Sequence, residues 1–228
     1  MTDFLGSTVV RRYATATALG AVLGALWVGV LSRGAMAIIA AANDQADGLV
    51  SDDGFEIGQF TLSGSLNLLF FGFAIGAFGG ALYVALRGLR VGPGWFQVLS
   101  ISLAPAIVAL SMLVHPTGVD FTLLEPISLS LGLFLAVAWG YTLSVAVLVE
   151  RLIEPAGFAE TAPTWLIGLM LVASIPILPL VAALALGRFA LHASGSKAAA
   201  AAWPARAALA LVFALSVSNL VSDIAALA

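Results

Sequence analysis

The sequence predicts an all-α fold, a polytopic transmembrane bundle of about six helices in a single domain over residues 1–228. Three observations lead there. The chain is 61% hydrophobic and 9% charged, with mean hydropathy +1.10, whereas a soluble domain is about half apolar and about a quarter charged. Apolar runs of about 20 residues recur, the length a helix needs to cross the hydrocarbon core. These runs are continuous and rich in Leu, Ala and Gly, without the alternation of barrel strands.

Composition also excludes. With no cysteine, disulfides, thiolate metal sites and cysteine nucleophiles drop out. Eight Arg, one Lys and a formal net charge of −3 leave no footprint for nucleic acid. No nucleotide-binding glycine loop, metalloprotease motif or nucleophile elbow occurs, so an enzyme is not expected, nor is a cofactor or a metal.

The first helix is expected over 13–42. Arg11 and Arg12 precede it, and Ala35-Met36-Ala37 resembles a signal-peptidase site, but the apolar run is longer than a signal sequence needs; it reads as a retained span. Arg33 falls about 30 Å along the axis from Tyr13, at the far edge of the hydrocarbon, where a guanidinium can snorkel. The acidic loop that follows carries Asp44, Asp47, Asp52, Asp53 and Glu56 and no basic residue. Its Asp52, Asp53 and Glu56 are candidates to anchor it on Arg33, and residues 55–62 are expected to form a short β element.

Helix two is expected over 66–86, ending at Arg87 and Arg90. The turn Val91-Gly92-Pro93-Gly94 leads antiparallel into helix three, 95–114, which Pro105 should kink. A second acidic loop, 115–126, precedes helix four over 127–149, closed by Glu150-Arg151. Basic residues near span ends favour the cytoplasmic side. Arg11, Arg12, Arg87, Arg90 and Arg151 share one side of this layout, so the N-terminus is expected in the cytoplasm and the chain in a bacterial cytoplasmic membrane. The hairpins 13–90 and 95–151 both read helix, acidic loop with Phe-Thr-Leu, helix, arginine, a possible internal repeat. A third hairpin over 165–226 is less regular, because Pro176 and Pro179 interrupt its first half. Six full crossings are the preferred arrangement. A re-entrant segment at 174–179 is the alternative, and it would keep Arg188, Lys197 and Arg206 with the other basic residues.

The stretches SDDGFEIGQFTL (51–62) and HPTGVDFTLLEP (115–126) resemble parts of uncharacterised multi-pass membrane proteins of high-GC Gram-positive bacteria. The resemblance implies a membrane fold and attaches no activity.

Gly20 and Gly24 on helix one, and Gly72, Gly76 and Gly80 on helix two, recur every fourth residue. Such spacing lets helix backbones approach closely where lipid gives no hydrophobic drive, either inside one chain as a glycine zipper or as a homo-oligomer seam. Ser216, Asn219 and Asp223 share one face of the last helix, and an ionisable residue on a polar stripe inside a span is a candidate transport or ion-binding site. His115 and His192, the two histidines, are thin support for a bis-histidine haem.

These features favour a non-enzymatic integral membrane protein moving a small solute or ion as a homo-oligomer, its partners the lipid bilayer and its own copies. The alternative is an accessory or scaffolding subunit of a larger membrane complex.

Overall fold

A computed structural model describes residues 5–43, 48–51, 54, 57, 61–177, 179, 183, 186–187 and 197–227. Among them, five helices are long and apolar enough to cross a membrane. They are α1 (Thr8–Ala41), α2 (Leu62–Leu86, extended by a 3-10 turn Arg87–Leu89), α3 (Gly94–Leu113), α5 (Ile127–Ile153) and α8 (Lys197–Leu227). Short helices fill the connections: α4 (Val119–Thr122), α6 (Phe158–Thr161) and α7 (Thr164–Val172), the last followed by a 3-10 turn, Ile175–Ile177. The fold class read from the sequence holds. Most of the expected β element lies outside the described residues, but its end does not: Leu62 opens α2, and the Thr61 hydroxyl caps that helix by accepting from the Gly64 N–H at 3.3 Å. The Phe-Thr-Leu motifs occupy different local settings, since Thr61 is this helix cap while Phe121 and Thr122 sit within α4.

The glycines meet across the α1–α2 interface. A methyl group on Gly76 would come within 2.7 Å of the Gly24 Cα, and one on Gly72 within 2.6 Å of the Gly24 carbonyl oxygen. Gly20 faces Gly80 in the same way, at 2.9 Å from its Cα. Helix backbones touching directly gain dispersion and exclude lipid, which is how association is driven without a hydrophobic term.

Helix α5 is tied to α1, α2 and α3 through polar side chains at mid-depth. The Tyr141 hydroxyl donates to the Gly76 carbonyl on α2 at 2.8 Å, and Trp139 Nε1 donates to Ser102 Oγ on α3 at 3.2 Å. Trp27 Nε1, on α1, donates to Ser144 Oγ at 3.1 Å. Trp27 belongs to a π-helical stretch, Ala25–Leu31, and its ring fills the space where Gly140 has no side chain. The looser winding re-aims the indole toward α5, a local adjustment of the kind π segments provide.

The last helix decides the topology. Arg206 Nε donates to the Leu89 carbonyl at 3.0 Å, at the end of α2 that carries Arg87 and Arg90. At the opposite end Leu220 and Leu227 pack with Leu110, Val114 and Phe121. Thr164 starts α7 close to the Arg11 end of α1, since Ala162 and Ile167 pack on Ala14. Arg206 and Thr164 therefore lie at the same end of the bundle. The preference for six full crossings is corrected by this: α8 runs in the same sense as α1, as the re-entrant alternative required. The physical reason is the break after α7: its nine residues cover about 14 Å, and a 3-10 turn, Ile175–Ile177, follows. Pro176, with no N–H to donate, lies in that turn.

The absence of cysteine makes this testable. Thr161→Cys and Ala226→Cys are expected to react with an impermeant thiol reagent from opposite faces of the membrane. Reaction of both from one face would restore six crossings.

Candidate functional site

The arginine-rich end of the bundle is where the chain departs from simple spans, and Arg11 organises it. Although 8% exposed, its guanidinium is satisfied by backbone oxygens of the α6 region: Nε donates to Ala159 O at 2.7 Å, and Nη2 to Glu160 O at 3.2 Å and to Ala162 O. These are carbonyls that a short helix leaves without intrahelical partners, and a cation at a helix C-terminus also favours its dipole. Arg12 adds an ion pair with Glu160 at 3.0 Å. The Glu160 carboxyl lies below the usual carboxylate range, held there first by the Ala156 N–H and then by Arg12. Residues 156–162 are thus pinned on α1, and α7 starts from a fixed point.

From there α7 descends along α1. Ile167 is fully buried, and Thr15 Oγ1 lies 3.9 Å from Met170 Sδ. The turn beyond reaches the core: Ile177 packs against the cluster containing Tyr13, Ala81, Val84, Tyr141 and Val145. Two buried hydroxyls stand out, Ser174 after α7 and Thr17 on α1. Thr17 is 0% and Ser174 1% exposed, and neither side-chain oxygen has a hydrogen-bond partner among the described residues. Buried polar atoms are normally satisfied, and irregular backbone at membrane depth is tolerated where it is buried in protein or lines a water-filled cavity. An interrupted segment, two unsatisfied hydroxyls and a rim of Arg11, Arg12 and Glu160 make this the candidate site.

The residues singled out from the sequence fall elsewhere. On α8, Ser216 and Asp223 are partly covered on the side that leans toward the bundle, and Asn219 is exposed. The neighbouring Leu220 and Leu227 belong to the cluster at the end opposite the arginines, so the stripe does not meet the interrupted segment. Arg33 is buried, 6% exposed; its proposed partners Asp52, Asp53 and Glu56 lie outside the described residues. His192 lies outside them too. The five glycines do come together, within one chain.

In the sequence Glu150 reads only as a residue that closes helix four, yet it is the hub of a second polar cluster at the arginine-rich end. Its Oε2 pairs with Arg87 Nη2 at 2.8 Å and its Oε1 with Arg90 Nη2 at 3.2 Å. The Tyr83 hydroxyl donates to the same Oε1 at 2.8 Å. The cluster joins α2 to α5. A signal was present in the arginine and glutamate that both close spans on one side, but not their pairing.

Comparison with known proteins finds no counterpart: no family model matches the chain, and no curated protein or solved structure is similar to it.

Proposed function

We propose that this integral membrane protein passes a small polar solute or ion, with the route alongside the interrupted segment 164–177 and not along the α8 stripe. The observation that carries the reading is two buried, unsatisfied hydroxyls: Ser174 Oγ in the broken segment that enters from the arginine-rich end, and Thr17 Oγ1 on α1, the helix along which that segment packs. Interrupted helices near mid-membrane bring backbone carbonyls and dipole ends to a substrate, the arrangement that transporters use. The mid-depth groups Trp27, Trp139, Tyr141 and Ser102 are already engaged in helix-to-helix bonds, which favours a route on the α1–α7 side. The excess of arginine at this end favours the cytoplasmic side by the positive-inside rule.

The test uses the cysteine-free background. Ser174→Cys is expected to react with a small hydrophilic thiol reagent added at the arginine-rich face. That modification is expected to slow solute flux in proteoliposomes by at least tenfold, measured by osmotic light scattering against a panel of ions and small neutral solutes. A Ser174→Cys protein that folds, resists the reagent and moves no solute would remove the transport reading. A second reading, an accessory subunit, is favoured by one observation: α8 is mostly exposed along its length, with Leu211, Val212, Leu215 and Val221 outward. Oligomer assembly through the α1–α2 glycines is not part of either proposal, because those glycines face each other inside the chain.

A further inference from the structure

We infer that the arginine-rich end carries a specific site for an anionic phospholipid headgroup, formed by Arg87, Arg90 and Arg206. It stands independently of the transport reading. Two guanidiniums at the end of α2 pair with one carboxylate, Glu150, and a third, Arg206 of α8, is bonded to the same end of α2, so the cluster keeps an excess of positive charge after its internal pairs are made. Their positions are fixed by backbone: Arg90 Nε donates to Arg87 O at 2.9 Å and Arg206 Nε to Leu89 O at 3.0 Å. Those bonds cap carbonyls at the end of α2, whose dipole would otherwise repel an anion. They also use only the Nε edge of Arg206, and its Nη groups have no partner among the described residues. The paired side chains of Arg87 and Arg90 remain 23% and 21% exposed. A planar guanidinium held with free Nη donors matches a phosphate oxygen pair, which Arg recognises in bidentate fashion.

The surroundings point to a lipid and not to free phosphate. Trp203, 69% exposed, lies under the Arg206 guanidinium at 5.2 Å, and Trp95, equally exposed, starts α3 just after the turn from Arg90. Exposed tryptophans of this kind sit at the headgroup level of a bilayer. Toward the membrane interior, Val98 and Leu99 on α3 and Leu209 on α8 present apolar surface, where acyl chains would lie. Basic pockets between spans on the cytoplasmic side are where anionic headgroups bind.

The experiment is titration of the delipidated full chain in detergent with phosphatidylglycerol, phosphatidylcholine and inorganic phosphate, read by native mass spectrometry. Phosphatidylglycerol is expected to bind at defined stoichiometry and phosphatidylcholine weakly. Arg206→Gln should lower phosphatidylglycerol affinity about fivefold, the weight of one basic residue near a membrane surface. Arg206→Lys should lower it less, and Arg12→Gln, a charge change elsewhere on the same end, should leave it unchanged. Thermal unfolding without lipid checks that each variant is folded. Equal binding of the two lipids, wild-type affinity in Arg206→Gln, or an equal loss in Arg12→Gln would overturn the site. Inorganic phosphate binding as tightly as the lipid would overturn the lipid assignment.

Discussion

Gly76→Val is expected to abolish the folded protein. The new side chain would meet the Gly20 carbonyl and the Gly24 Cα, the latter at 2.7 Å from its first carbon. Overpacking costs about 1–3 kcal/mol where side chains can yield; here the struck atoms belong to the backbone of α1, so the loss should exceed that range. Relief would require α1 and α2 to separate, which also withdraws the Gly76 carbonyl from the Tyr141 hydroxyl. One substitution thus loosens two helix pairs. Gly34→Val is the matched control, because nothing lies within 4 Å of a carbon added there. Size-exclusion chromatography and thermal unfolding in detergent check this. Equal melting temperatures for the two variants would show that the α1–α2 contact is not a main support of the fold.

That contact was legible in the sequence because it depends on local quantities. A membrane span is set by length and apolarity, and small residues every fourth position mark one helix face. The glycine pattern could not say whether the facing helix belonged to the same chain, and the packing of Gly20 and Gly24 on Gly72, Gly76 and Gly80 answers it. The candidate site was less legible. Arg11 is held by backbone oxygens at positions 159, 160 and 162, and a carbonyl acceptor leaves no trace in residue identity. Thr17 and Ser174 are ordinary residues in apolar runs, distinguished only by what does not bond them. The prolines at 176 and 179 did mark the interruption, but a kink and a re-entrant turn look alike in sequence. It took the Arg206–Leu89 bond, between residues 117 apart, to fix the sense of the last helix. The winding of Ala25–Leu31 into a π-helix has no sequence signal that we can identify.

The second large effect is expected at Glu150. Glu150→Ala removes the carboxylate shared by Arg87, Arg90 and Tyr83, leaving two guanidiniums close together without their counter-ion. Breaking a fully buried pair costs about 3–5 kcal/mol, whereas exposed pairs contribute about 0–1 kcal/mol. With Glu150 24% exposed, an intermediate loss of about 2 kcal/mol is expected. Removing one arginine should cost less, since the other still neutralises the carboxylate. The ranking Glu150→Ala worse than Arg87→Ala follows from the sharing and not from burial, because Arg87 and Glu150 are nearly equally exposed, at 23% and 24%. Thermal or denaturant unfolding of both variants and the double mutant measures it. In the double mutant Arg90 and Tyr83 remain without the carboxylate, so the loss should fall between the singles if repulsion between the two arginines is a main cost. A double mutant as unstable as the sum of the singles would mean that Glu150 and Arg87 are not coupled, and that Glu150 acts through Arg90 and Tyr83.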